Sequence, residues 1–146
     1  MASSASDLPR RLTFPRSHRL KRKRLIRSLF DRSRSDVRTV AVGCVRLLYR
    51  VVDREATGHD VPLQIGFSPG PKVRSGVPRT RIRRLLREVY RVHQHRLVDC
   101  CRERDQALIV MALFRGHPDQ ADDCIPRDLP CAMTRAADDV RQHLAA

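Results

Sequence analysis

A chain of 146 residues fits one domain with a modest core and is too short for two well-packed ones. Its 30 Lys and Arg against 16 Asp and Glu leave a net charge of +14, a field that attracts polyanions and departs from that of an ordinary soluble enzyme. No stretch approaches the roughly 20 apolar residues that span a bilayer, and the start MASSASDLPRRL lacks the apolar run of a secretory signal. A membrane partner is therefore set aside and a cytoplasmic protein is expected. Arg far outnumbers Lys, and its planar fork pairs with phosphate and stacks on bases, so nucleic acid is the expected partner.

Residues 1–11 are rich in Ser, Ala and Arg without periodicity and read as a disordered tail, with a single domain over 12–146. In HRLKRKRLIRSLF, Leu20, Leu25, Ile26, Leu29 and Phe30 recur at helical spacing, while Arg19, Lys21, Arg22, Lys23, Arg24 and Arg27 fill the remaining surface. This predicts a short amphipathic helix with a basic exposed side. VRTVAVGCVRLLYRVV, residues 37–52, is dense in β-branched and apolar residues and reads as one long strand. After the polar break DREATGHD, VPLQIGFS is a second strand, expected to pair antiparallel with the first through a hairpin-like connection. PGPKVRSGVP is a Gly and Pro-rich loop that has room for a short strand around Lys72 to Arg74.

RTRIRRLLREVYRVHQHRLVDCC is the clearest helix, with Pro78 at or before its first turn. Ile82, Leu85, Leu86 and Val89 form its apolar stripe, and Arg83, Arg84, Arg87 and Arg91 cluster within an arc of roughly 100°, with Arg79 and Arg81 in the first turn. QALIVMALF suits a strand buried on both faces. Residues 116–131 are acidic and punctuated by proline, which predicts a loop, and Met133, Ala136, Val140 and Leu144 mark a terminal helix over 132–145. The order of elements implies an α+β fold with one sheet and helices packed on it.

A protein-only hydrolase needs converging carboxylates, a nucleophile with its base, or a metal cage, and no such catalytic set is visible. Asp119, Asp122 and Asp123 read as a solvated acidic surface. The five cysteines, Cys44, Cys100, Cys101, Cys124 and Cys131, contain no CxxC pair or zinc spacing and are expected to be reduced thiols. His93, His95, Cys100 and Cys101 could be imagined around a metal, but adjacent cysteines chelate poorly, so no metal ligand is assigned.

The most informative stretch is QIGFSPGPKVRSGVPRTRIRRLLREVYR, from Gln64 to Arg91. It resembles the signature region of the bacterial ribonuclease P protein family, in which a strand ending in GFS, a Lys and Gly-containing loop and an RNxxKRxxRExxR helix follow one another. The matching residues are Gly66, Phe67, Ser68, Lys72, Val73, Val77, Arg79, Ile82, Arg84, Leu85, Leu86, Arg87, Glu88 and Arg91. Phe14 and Pro15, Phe30 and the DQALIVMA strand extend the resemblance over roughly residues 12 to 145. Thr80 stands where the family has Asn, Arg83 where it has Lys, and Pro71 with Lys72 where it has two lysines. Arg74 takes the place of a loop glycine, Gly76 lying two residues on.

The resemblance implies a two-layer α/β sandwich with one mainly antiparallel sheet, like the second domain of a small-subunit ribosomal protein, and a left-handed βαβ crossover. It implies a protein subunit that binds a catalytic RNA and the 5′ leader of precursor tRNA. The chemistry would belong to the RNA and its Mg²⁺, with no cofactor held by protein side chains. Lys72, Arg74, Arg79, Thr80, Arg81, Arg83, Arg84, Arg87 and Arg91 are then the candidate RNA contacts. Phe14, Arg19, Lys21, Arg22, Tyr49, Phe67 and Ser68 are the candidates for a leader cleft between the sheet and the first helix, where single strands stack on aromatic rings. Core is the alternative placement for Phe30 and Phe67, the commoner fate of a lone Phe in a small domain. The alternative is a ribosomal or other structural RNA-binding protein with no role in tRNA maturation. A helix-turn-helix DNA reader is set aside, because strands stand where its second helix would be.

Overall fold

The computed structural model describes residues 13–102 and 104–143. The predicted tail lies outside them, as does Leu144. Four strands, β1 (Arg38–Val42), β2 (Val45–Asp53), β3 (Leu63–Ser68) and β4 (Gln106–Phe114), form one sheet in the order β1-β2-β4-β3. The helices are α1 (Lys23–Leu29), α2 (Arg54–Thr57), α3 (Gly76–His93), α4 (His95–Val98) and α5 (Ala121–His143). The β1/β2 and β2/β4 pairs are antiparallel and β3/β4 is parallel, so the α+β fold with a mainly antiparallel sheet stands.

The stretch predicted as one long strand is a hairpin. Val42 pairs with Val45 across a two-residue turn whose first member, Gly43, has φ 54°, the left-handed region that glycine enters without a Cβ clash. The second expected pairing is also corrected. Both edges of β2 are taken by β1 and β4, so β3 pairs parallel with β4 instead, from Leu63↔Leu108 to Ser68↔Leu113. DREATGHD is no hairpin connection: it contains α2, which ends on the left-handed Gly58. Lys72 to Arg74 form no strand: Lys72 ends a turn and irregular chain follows, anchored by the buried Val73.

β4 is covered on both faces, as its unbroken apolar run predicts. Leu108, Val110, Ala112 and Phe114 join Leu47, Tyr49, Leu63 and Ile65 under Ile82, Leu86 and Tyr90 of α3 and Ile125, Leu129 and Met133 of α5. Ala107, Ile109 and Met111 face the other way and, with Leu48 and Val52, receive Leu20, Leu25 and Leu29. The chain ahead of α1 runs along the outer edge of β3, where Leu20 N–H donates to the Ile65 carbonyl at 3.0 Å and so covers an otherwise open strand edge.

The predicted acidic loop over 116–131 is largely helical. A 3₁₀ turn, Pro118–Gln120, leads directly into α5, which begins at Ala121 and contains Pro126 and Pro130. Each proline removes one i→i−4 hydrogen bond and frees the carbonyl four residues back. Those carbonyls belong to Asp122 and Pro126, both exposed residues. Burial of Cys124, Ile125, Leu129 and Met133 outweighs the loss.

Two contacts fix α5 to the hairpin. Arg38 and Tyr49 both donate to the Asp139 carboxylate, Arg38 Nη2 at 2.8 Å and the Tyr49 hydroxyl at 2.5 Å. At the opposite end Cys44 and Cys124 form a disulfide, and the Asp128 carboxylate accepts the Cys44 N–H at 3.0 Å. The expectation of five reduced thiols is thus corrected for this pair, because the β1–β2 turn and the first turn of α5 are neighbours in space although 80 residues apart in sequence.

Candidate nucleic-acid interface

α3 forms because a stripe of Ile82, Leu86, Val89 and Tyr90 is buried, with Leu85 half-buried beside it. At about 100° per residue, Arg83, Arg87, Arg91 and Arg84 follow one another around the opposite side. Arg84 is exposed and Arg83 and Arg87 half-buried. Arg91 pairs with Glu88 at 2.6 Å, and that hydrogen bond holds the Glu88 carboxyl below its ordinary range. Arg81 pairs with Asp122 of α5 at 2.9 Å.

Besides Arg81 and Arg91, two more of the predicted RNA contacts have local partners in this structure. Arg79 turns inward, its Nη1 donating to the carbonyls of Gly70 and Val73, each at 2.8 Å, and so clasps the loop before α3. The helical wheel carried this signal, since Arg79 falls between Leu86 and Tyr90 on the buried stripe. Thr80 donates its hydroxyl to the Gly76 carbonyl of its own helix at 3.0 Å. Lys72 and Arg74 stand exposed on the clasped loop.

The predicted cleft residues separate into three groups. Phe14 and Phe67 meet Tyr90 of α3, with ring centroids 5.7 to 5.8 Å apart, and the Arg19 guanidinium lies 5.5 Å from the centre of the Phe14 ring. Gln94 donates to the Thr13 carbonyl at 2.8 Å, which seats this segment on the flank of α3 that carries Arg83 and Arg87. Lys21 and Arg22 are exposed near α1, and Arg22 also donates to the Ala56 carbonyl at 3.1 Å. Tyr49 is a correction. It points from β2 into the core under α5, fully buried, its phenol pushed up by that burial and by its hydrogen bond to Asp139. Strand alternation puts Leu48, not Tyr49, on the face toward α1.

On that face, two adjoining hollows of about 290 and 440 Å³ share Phe30, Arg46 and Leu113, and Ser68 lines one of them. Phe30, for which the core is the alternative placement, is 50% exposed here. It follows the last turn of α1, where Leu25 and Leu29 already fill the space over the sheet. Arg46 Nε is buried at the groove without a partner. The sequence signal for Arg46 is strand alternation, which puts it on the same face of β2 as Leu48.

Among the described residues, the groups close enough to share a metal ion are Cys44, Cys124 and Asp128. Mg²⁺ takes hard oxygen ligands, so two sulfurs with one carboxylate do not suit it. No helix among the described residues is long and apolar enough to cross a membrane.

Comparison with known proteins gives this surface its setting. The "Ribonuclease P protein component" of Natranaerobius thermophilus is 42% identical over 53 residues, which is 36% of this chain and 42% of that protein's length. The solved structure of the Staphylococcus aureus RNase P protein superposes with a TM-score of 0.54 at 19% identity, covering 82% of this chain and 94% of that one, a likeness of fold. Residues 14–136 match the Ribonuclease P family model. With that match spanning most of its length, the chain belongs to the Ribonuclease P family.

Proposed function

We propose that this protein is the RNA-binding subunit of a ribonuclease P ribonucleoprotein, and that it acts in the cytoplasm on the 5′ leader of precursor tRNA. Arg83, Arg84 and Arg87, with Lys72 and Arg74 on the adjoining loop, would meet phosphates of the catalytic RNA. Arg side chains on the outer face of a rigid helix, Arg84 exposed and Arg83 and Arg87 half-buried, fit that work, because phosphate contacts position a complex without reading bases. The leader would lie in the groove of Phe30, Arg46, Ser68 and Leu113, where one exposed ring and an unpartnered guanidinium offer stacking and charge together. Phe14 and Phe67 pack with Tyr90 on the α3 face of the sheet, opposite this groove, so with Arg19 they would meet the leader only where it rounds the β3 edge.

The observation that carries the reading is the three-arginine stripe on α3, which has no ion pair among the described residues, set beside the Phe14–Phe67–Tyr90 cluster in a chain of this family. Bond cleavage is assigned to the RNA and to Mg²⁺ bound by it. Mg²⁺ would supply charge stabilisation and an activated water there, while the protein would neutralise phosphates and hold the leader extended.

The test mixes RNA-free protein with its cognate catalytic RNA and a precursor tRNA at limiting Mg²⁺. Cleavage at the mature 5′ end is expected to rise on adding protein, and protein alone is expected to be inert. Cleavage by protein alone, or an unchanged rate with it, overturns the proposal.

A further inference from the structure

The Cys44–Cys124 disulfide closes the floor of a pocket of about 600 Å³, whose walls include Lys72, Arg115, His117 and Arg127. Cys44 is half-buried and Cys124 is 5% exposed. An incoming thiol therefore meets Cys44 first. Their Cα atoms are 6.3 Å apart, a span that accommodates a disulfide, and Asp128 holds the turn in place from α5. A Cβ on Gly43 would lie 2.1 Å from Asp128 Oδ2, so the turn and the helix fit each other closely around the bond.

We propose that Cys44 and Cys124 form a reversible thiol–disulfide site that exchanges with an anionic low-molecular-mass thiol and locks α5 to the β1–β2 turn when oxidised. A thiolate attacks Cys44 Sγ, the Cys44–Cys124 bond breaks, and the electron pair leaves on Cys124 Sγ, which then takes up a proton. A second thiolate attacks the sulfur of the first thiol in the mixed disulfide and releases Cys44 as a thiol. Two molecules of thiol leave as one external disulfide, and the protein gains two electrons and two protons. Oxidation by an external disulfide runs the same steps in reverse.

Three features favour this exchange. The pocket opens on the bond and carries Lys72 and Arg115 against Asp123, with Arg127 already paired to Asp128, so an anionic thiol is drawn in. Cys124 lies in the first turn of α5, where the helix end stabilises a departing thiolate. Asp122 and Asp123 share that turn and act against this, but Asp122 is engaged by Arg81 and the nearby Asp128 by Arg127 at 2.9 Å. A disulfide in a reducing compartment is expected to be transient, which suits a site that cycles. Neither cysteine lines the Phe30 groove, although Arg115 borders both this pocket and one hollow of that groove and Lys72 is a proposed RNA contact, so exchange is read on RNA-free protein and its failure is distinct from failure of the RNA function.

The experiment uses the full chain, oxidised with glutathione disulfide and then titrated with glutathione. Linkage is followed by peptide mass spectrometry and stability by thermal melting. A linked Cys44–Cys124 peptide is expected after oxidation. Reduction should release it and lower the melting temperature by about 10 °C, the size typical of a native cross-link. Cys44→Ser should abolish both the linked peptide and the thiol-dependent shift, and Cys124→Ser should trap a glutathione adduct on Cys44. Glutathione should react about tenfold faster than neutral 2-mercaptoethanol, after correction for thiolate content, at low salt and lose that advantage in high salt. Finding the two cysteines unlinked after oxidation, or still linked in excess glutathione, overturns the site. Equal corrected rates for the two thiols overturn the choice of an anionic partner. The wild-type peptide map decides the matter even where a serine variant fails to fold.

Discussion

The two faces of α3 should separate folding from binding. Leu86 is fully buried against the sheet, whereas Arg84 is exposed on the opposite side of the same helix. Leu86→Ala removes three carbons from a packed site and should cost about 2–5 kcal/mol, which is roughly 5–20 °C of melting temperature for a chain of this size. Each phosphate-binding arginine removed from the outer face should reduce the slope of log affinity against log salt by about 0.7–0.9. For Arg84→Ala that narrows the drop in affinity between 50 and 200 mM salt by about threefold, and for the combined removal of Arg83, Arg84 and Arg87 the slope should fall by about 2–3. The melting temperature of Arg84→Ala should hold or rise, because removing one of many like charges relieves repulsion. The assay pairs circular dichroism melting with filter binding of the catalytic RNA across a salt series. An Arg84→Ala protein with the wild-type affinity and slope would refute α3 as the RNA face.

Three further outcomes are expected. Lys72→Ala and Arg74→Ala should weaken RNA binding without lowering the melting temperature, and unfolding of either variant would make the loop structural. Arg79→Ala leaves the Gly70 and Val73 carbonyls without their charged donor and should cost about 2 kcal/mol or more; a melting temperature equal to wild type would return Arg79 to the outer face. Asp139 has its carboxyl held below the ordinary range, first by the Arg38 hydrogen bond and then by the Tyr49 hydroxyl. Its stabilisation is therefore complete above the unfolded carboxyl value and is lost as pH falls through the lower folded value. Chemical denaturation of Asp139→Asn should show a shallower loss of stability below about pH 4 than wild type, and parallel curves would dismiss the interaction.

Element by element, periodicity carried a long way. α3 showed its buried stripe and its arginine arc, because 3.6-residue spacing alone fixes which side chains share a face. β4 was recognisable as a strand covered on both sides, because an unbroken apolar run leaves no face for water. The net charge of +14 pointed to a polyanionic partner.

Other features had no local signature. A period says which residues share a face, but not which neighbour covers it. Thus Tyr49 lies under α5, out of reach of a leader, and β3 pairs with β4 because both edges of β2 are already occupied. The prolines of α5 signalled a break, yet burial of one helix face outweighed two missing backbone bonds. Phe30 carries the composition of a core residue and becomes a groove wall because Leu25 and Leu29 fill the space beneath α1. Arg79 could have been assigned from its angle on the helix, but not its acceptors, which the loop brings back from Gly70 and Val73. The sequence by itself determined the periodic faces and the sign of the surface, both local sums over the chain. Which strands pair, which cysteines meet and which arginines remain unpaired were decided by the tertiary structure, because each depends on groups brought together only when the chain folds.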